Sequence, residues 1–173
     1  GKKQVEEFWH DGLVRTPADL FRLKDQNKSL EARDGWGDVS VRNLLSAIEA
    51  RRSISLERFI YALGIPQIGQ TNARLLARNY GSLKSFRGSM LEAEDVASTA
   101  YQNLISIDGV GDQAAGRLIG FFLEPHNQEV LAELAEEIEV ENFIDAGRKS
   151  PVAGKVVVFT GSLSTMTRAE AKA

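Results

Sequence analysis

The apolar positions of this chain fall repeatedly into one short pattern. A glycine is followed four residues later by one apolar side chain and seven residues later by another. The sets are Gly1/Val5/Phe8, Gly37/Val41/Leu44, Gly69/Ala73/Leu76 and Gly111/Ala115/Leu118. Spacings of four and three place both side chains on one face of a helix that starts just after the glycine. Two sets carry the fuller prefix Gly-apolar-Gly, in Gly35-Trp36-Gly37 and Gly109-Val110-Gly111. The third reads Gln67-Ile68-Gly69, and the first opens at its second glycine. Recurrence of the unit every 32 to 42 residues marks an internal repeat.

The remaining pattern fills in around these units. Residues 2–11 are predicted helical. Thr16-Pro17-Ala18-Asp19 is a helix start, with a hydroxyl N-cap, proline at the first position and an acid in the first turn. That helix runs to about Leu23 and is followed by a polar turn over Asp25–Lys28. A helix from Asp38 to about Arg52 turns Val41, Leu44, Leu45 and Ile48 inward. Ser55 caps a short helix carrying Leu56, Phe59, Ile60 and Leu63, and the helix after Gly69 runs to Tyr80, closed by Gly81. Arg87–Ser98 is the least periodic stretch and predicts a loop leading into a helix over Glu94–Leu104. Helices follow over Asp112–Leu123 and from Pro125 to about Ile138. The second of these sets Val130, Leu131, Leu134 and Ile138 on the domain and its glutamates in water.

After Asn142–Pro151, a linker by composition, the period changes to a β-branched run at Lys155–Phe159, and Thr167-Arg168-Ala169-Glu170 forms a capping box. The expected fold class is therefore all-α, a tandem array over residues 1–141. A linker follows over 142–151, then the first strand and helix start of an incomplete α/β domain over 152–173. The chain lacks an initiator Met and opens inside a motif, so it is expected to be a piece of something longer.

Composition narrows the chemistry. The chain has no cysteine, which excludes disulfides and thiolate metal sites within it, and His10 and His126 lie in separate polar surroundings. No apolar run approaches the ~18 residues of a membrane span. The formal net charge is −3, from 21 basic and 24 acidic residues. Eight of those acids, from Glu124 to Asp145, sit in a stretch without Lys or Arg, so the repeats carry the basic surplus.

The repeated unit is a helix-hairpin-helix. One helix ends, the chain reverses in a few residues, and a second helix starts behind a glycine. Glycine admits positive φ and close approach of a ligand, and the N–H groups at the start of the new helix suit a phosphate oxygen. A single copy is explained better by a glycine that merely caps a helix-helix turn; four copies in one register reverse that preference and favour a grip on a nucleic-acid backbone. The candidate DNA-binding residues are Gly1, Gly37, Gly69 and Gly111 through their neighbouring amides, with Gly35 and Gly109 shaping the reversals. Lys2 and Lys3 are candidate phosphate partners, and Arg42, Arg74 and Arg117 in the second helices are placed either to reach a flanking phosphate or to pair with a neighbouring acid. Trp36, Ile68 and Val110 are expected to plug the hairpins onto their own helices, and Trp9 and Tyr80 to lie in the core. Gln67 replaces a glycine and Pro66 removes a donor, so the third hairpin is expected to differ in shape or bind less well. Asp112 after Gly111 competes with phosphate in the fourth, which makes the first two motifs the stronger candidates. No catalytic residue, metal ligand or cofactor site is expected in this chain.

The residues resemble those of bacterial NAD-dependent DNA ligases nearly from end to end. The resemblance rests on Gly12–Leu20, Gly35-Trp36-Gly37 leading into Asn43–Glu49, Arg58–Gly69 and Ile107–Gly111. It continues through Val152–Leu163, which is similar to the start of that family's BRCT domain. The resemblance implies that the intact enzyme takes AMP from NAD, passes it to the 5′-phosphate of a nick and joins the strands with Mg²⁺, in DNA replication and repair in the bacterial cytoplasm. It implies a four-cysteine zinc module just before Gly1. The adenylating Lys-x-Asp-Gly motif does not occur here, so this piece is expected to be inactive alone and to supply sequence-indifferent grip on nicked double-stranded DNA beside the other ligase domains in cis. A base-excision glycosylase would need a catalytic Asp about twenty residues past the hairpin, and residues 113–144 contain none. A non-catalytic DNA-binding module of another repair protein and a protein-interaction scaffold are the other readings.

Overall fold

The computed structural model describes residues 1–145. In chain order the elements are α1 (Lys2–His10), α2 (Pro17–Arg22), a 3₁₀ turn (Leu23–Gln26), α3 (Asn27–Glu31), α4 (Asp38–Glu49), β1 (Ser53–Ser55) and α5 (Leu56–Ala62). They continue with α6 (Gln70–Tyr80), α7 (Leu83–Glu92), α8 (Thr99–Ile105), α9 (Asp112–Leu123), α10 (Pro125–Glu137) and β2 (Glu139–Glu141). Gly1–Phe143 form one compact unit. The strand and helix start expected over 152–173 lie outside the described residues.

Two apolar clusters organise the unit, each built on a pair of repeats. Phe8, Val14, Leu23, Leu30 and Val41 form the first, with Trp36, Leu44, Leu45 and Ile48 packed on it. The second is larger and gathers Leu56, Ile60, Leu76, Phe86, Leu118 and Phe122 among others. The +4 and +7 residues of the repeat do what their spacing requires: Ala73, Leu76, Ala115 and Leu118 are fully buried, as are Phe8 and Val41. Leu44 is half-buried against the first cluster, and Val5 is exposed at 41%.

Helix ends follow the local chemistry. Asp19 Oδ2 accepts from the N–H groups of Arg15 (2.8 Å) and Thr16 (2.9 Å), which fixes the start of α2. Burial pushes the Asp19 carboxyl up, but those hydrogen bonds and the Arg22 charge outweigh it and hold the group below its usual value. Gly81 ends α6 with φ +73°, and Ser82 caps α7.

The structure corrects four expectations of secondary structure. The polar turn at 25–28 is a 3₁₀ turn that runs into α3. The stretch from Arg87 is not a loop: α7 covers it to Glu92, because Phe86, Met90 and Ala93 are buried at spacings of four and three. The following helix starts at Thr99, not Glu94, where Ser98 Oγ accepts from the Tyr101 N–H at 3.1 Å. The expected helix to Arg52 stops at Glu49, and the chain then forms β1, which pairs parallel with β2 in the register Ser53↔Glu139, Ile54↔Val140, Ser55↔Glu141.

The acidic helix differs most from its expected role. Leu131 is buried and Leu134 and Ile138 pack on the larger cluster, but two of the glutamates are not simply solvated. Arg22 Nε donates to Glu137 Oε1 at 2.7 Å, and Arg52 Nη1 donates to Glu137 Oε2 at 3.0 Å and to its main-chain oxygen at 2.7 Å. Arg52 also reaches the Phe21 carbonyl at 2.9 Å, and Thr16 Oγ1 donates to Glu133 at 3.1 Å. This network ties the element carrying Glu137 to residues of the first cluster's half. The hydrogen bonds from Arg22 and Arg52 hold the Glu137 carboxyl below the usual glutamate value.

Candidate nucleic-acid interface

Each repeat presents the start of a helix of at least nine residues behind a glycine N-cap: Gly1 for α1, Gly37 for α4, Gly69 for α6 and Gly111 for α9. The first amides bonded back within the later three helices belong to Val41, Ala73 and Ala115, which donate to the carbonyls of Gly37, Gly69 and Gly111. The amides of residues 38–40, 70–72 and 112–114 precede that ladder. No side chain caps these three helices. By contrast Ser82, Ser98 and Glu124 cap α7, α8 and α10 with their own oxygens.

The two glycines of the repeat do different work. Gly35 and Gly109 sit at φ +76° and +80°, where a side chain is strained. Gly37, Gly69 and Gly111 sit at φ −99°, −80° and −85° with extended ψ, which any residue adopts. A Cβ added to any of these three would meet nothing within 4 Å. Nothing inside the protein therefore requires glycine at the second position. What the position provides is open space over the start of a helix.

Gln67 stands at φ +70°, matching Gly35 and Gly109. The third hairpin thus keeps the shape of the others, against expectation, at the expense of a side chain held in the left-handed region. Hairpins three and four lie side by side. Asn72 Nδ2 donates to the Gln67 carbonyl at 3.2 Å and to the Gly109 carbonyl at 3.0 Å, and Gln67 and Gln113 meet at 3.3 Å. Between them lies a cleft of 440 Å³ lined by Gln67, Gly109, Gly111, Asp112, Gln113 and Ala114. The first two repeats meet through Phe8 and Trp36, with ring centres 5.6 Å apart.

The predicted cations are placed unevenly. Lys2 and Lys3 lie near Glu6 (3.7 Å) and Glu7 (4.0 Å), both lysines 90% exposed, which leaves them available to other anions. Arg42 is paired with Asp38 at 2.9 Å on the surface. Arg117 is exposed on α9. Arg74 lines an open groove of 430 Å³ with Arg58, Glu57, Tyr61, Gln70 and Thr71, so it stands beside the start of α6. Sequence reasoning missed Arg58 as a member of this group, because its placement depends on how α5 packs on α6. Asn72 and Gln113 were missed for the same reason.

The acid after the second glycine does not separate the motifs as expected. Asp38 holds the same place in the second repeat that Asp112 holds in the fourth, and Asp112 accepts from the Tyr101 hydroxyl at 3.2 Å. Ile68 and Val110 are buried, and Trp36 packs on the first cluster, as their plug role requires. Tyr80 packs on Phe86 in the core, where burial raises its pKa. Trp9 does not lie in the core: it is 50% exposed, with the Arg15 guanidinium 5.7 Å from its ring centre.

Fold and hairpin geometry define a helix-hairpin-helix protein, and a family model described as the helix-hairpin-helix motif matches residues 58–131. The whole chain is 51% identical, over 183 aligned residues, to a DNA ligase of Nitrobacter winogradskyi, covering 26% of that protein. It is 49% identical to DNA ligases of Parvibaculum lavamentivorans and Gluconacetobacter diazotrophicus, again along its full length and over 25% of theirs. Along its full length the chain is thus similar to one segment of DNA ligases, and it spans about a quarter of the length of the curated relatives it matches. Among the described residues no helix is long and apolar enough to cross a membrane.

Proposed function

We propose that residues 1–143 hold the sugar-phosphate backbone of nicked duplex DNA, without regard to sequence, for an NAD-dependent ligase acting in replication and repair in the cytoplasm. The observation that carries this reading is the second glycine of the repeat. Gly37, Gly69 and Gly111 have ordinary backbone angles and empty space where a Cβ would stand, in front of helices that no side chain caps. A phosphate oxygen in that space accepts from the free amides at the positive end of the helix dipole. Gly1, Lys2 and Lys3 offer the same arrangement in the first repeat, and Arg42, Arg74 and Arg117 add charge beside it, with Gly35 and Gly109 setting the reversals.

Contacts of this kind fix position on the duplex and read no base. Their contribution to ligation is alignment of the two ends of the nick. Adenylation from NAD, Mg²⁺-assisted joining and the zinc module belong on this reading to other domains in cis. Among the described residues no three His, Cys, Asp or Glu side chains are grouped to hold a metal.

Replacing Gly37, Gly69 or Gly111 by serine tests the reading, because serine is a better N-cap than glycine. The hydroxyl should hold or raise thermal stability while occupying the amides meant for phosphate. Titration of labelled nicked duplex at low salt is expected to show about tenfold weaker binding for a substituted hairpin that makes contact, the effect of a lost charged hydrogen bond. Unchanged affinity in all three variants would sink the proposal.

A further inference from the structure

A half-open cavity of 690 Å³ lies away from the three hairpin glycines, and the backbone-binding role leaves it unused. Its walls come from both halves of the unit. Trp9, Leu20 and Phe21 belong to the first, and Phe59, Phe121 and Leu131 to the second. The volume is that of a small-molecule pocket, and the aromatic and aliphatic lining is what such pockets use.

Its charged groups, Arg15 and Arg51, are both cationic. Arg15, Arg51 and His126 line the cavity, together with Thr16 and Asn127, and no Asp or Glu does. That composition stands out in a chain with more acids than bases, where the neighbouring α10 carries glutamates along its length. An apolar floor with arginines at its margin complements a ligand of matching form, with a hydrophobic body to fill the floor and an anionic group to meet the guanidiniums.

We propose that this cavity is a binding site for a small amphipathic anion: an aromatic body bearing one carboxylate, sulfonate or phosphate. The ligand would bridge the two halves of the unit and favour the arrangement they have here. Binding only the folded state, it raises thermal stability in proportion to its concentration over its dissociation constant.

A pair of fluorescent probes tests the charge and the body separately on the 173-residue chain. 8-Anilinonaphthalene-1-sulfonate carries the anion, and N-phenyl-1-naphthylamine has the same rings without it. The sulfonate is expected to bind saturably at one site, about tenfold more tightly than the neutral probe. Arg15→Glu and Arg51→Glu should each weaken the sulfonate about tenfold and leave the neutral probe within twofold. Ala62→Trp, at an exposed lining position, should abolish both while the far-ultraviolet circular dichroism stays that of the parent. Equal affinity for the two probes overturns the inference. So does binding indifferent to all three variants (an adventitious additive only), or the absence of saturable binding. Displacement of the sulfonate by nicked duplex at low salt also overturns it, since the cavity would then belong to the DNA-binding face. None of these outcomes bears on the glycine-to-serine test above.

Discussion

The side-chain amide of Asn72 donates to the carbonyl oxygen of Gly109 at 3.0 Å, across 37 positions of sequence. The same amide reaches the Gln67 carbonyl at 3.2 Å, so one side chain at the start of α6 holds the reversals of two successive hairpins. A Cβ at Gly109 would come within 2.8 Å of Asn72 Oδ1. The pairing of the third and fourth repeats is thus a local hydrogen-bonded lock as well as a shared apolar core.

Asn72→Ala is expected to lower stability by about 1 kcal/mol, the net worth of such hydrogen bonds. Urea titration should show a lower midpoint with an unchanged m-value. Gly109→Ala should cost more, because it adds left-handed strain of about 1–2 kcal/mol to the clash. In the Asn72→Ala background the clash disappears and the strain remains. The double-mutant cycle is therefore expected to be non-additive, with Gly109→Ala less costly there than alone.

Gln67→Gly should stabilise the protein. At φ +70° glutamine stands where Gly35 and Gly109 stand in the sister repeats. Removing the side chain relieves about 1 kcal/mol of backbone strain, less the small worth of the exposed 3.3 Å contact with Gln113. For a chain of this size a net gain of that order raises Tm by about 2–4 °C. A lower Tm would mean that the Gln67–Gln113 contact outweighs the strain.

Most of the helical frame is legible in the sequence where local signals coincide. The helix expected over Asp112–Leu123 is found at those bounds, because a glycine pair precedes it, apolar residues follow at +4 and +7, and Pro125 stands beyond its end. Helix α7 was hidden because Gly88 and Ser89 interrupt the stretch that Phe86, Met90 and Ala93 make helical. Strands β1 and β2 have three residues each and stabilise each other only across the whole domain, so no local period announces them. The hairpin glycines were legible as a motif. What separates their roles, positive φ at the first and open space at the second, emerges only from backbone geometry. Local sequence predicts a solvated Glu137 because its partners, Arg22 and Arg52, lie 115 and 85 residues away.

Those partners make Glu137 a source of pH-dependent stability. Hydrogen bonds from Arg22 and Arg52 hold its folded-state pKa below the ordinary 4.5. A lowered acid pKa contributes stability that is fully present above the unfolded value and is lost as pH falls through the folded one. Above about pH 5.5 the stability gap between the parent and Glu137→Gln should be constant, and it should shrink as pH falls below about 4.5. Urea midpoints measured from pH 7 to pH 3 check this. A gap that widens on acidification would contradict the sign.

Salt dependence separates the cations from the amides. An arginine that neutralises a phosphate contributes about −0.9 to the slope of log affinity against log salt, whereas a neutral amide releases far less counterion. Arg74 stands with Arg58 in the groove beside the start of α6, while Arg42 is already paired with Asp38 at 2.9 Å. Arg74→Ala is therefore expected to weaken binding to nicked duplex uniformly across sequences and to make the slope shallower by about one unit. Arg42→Ala, which also releases Asp38 as an unpaired anion, should weaken binding without a larger change in slope than Arg74→Ala. Gly69→Ser should lower affinity while leaving the slope within about half a unit of the parent's. If Gly69→Ser and Arg74→Ala change the slope equally, the amides and the guanidinium do not hold the phosphate in the separate ways that the geometry at Gly69 requires.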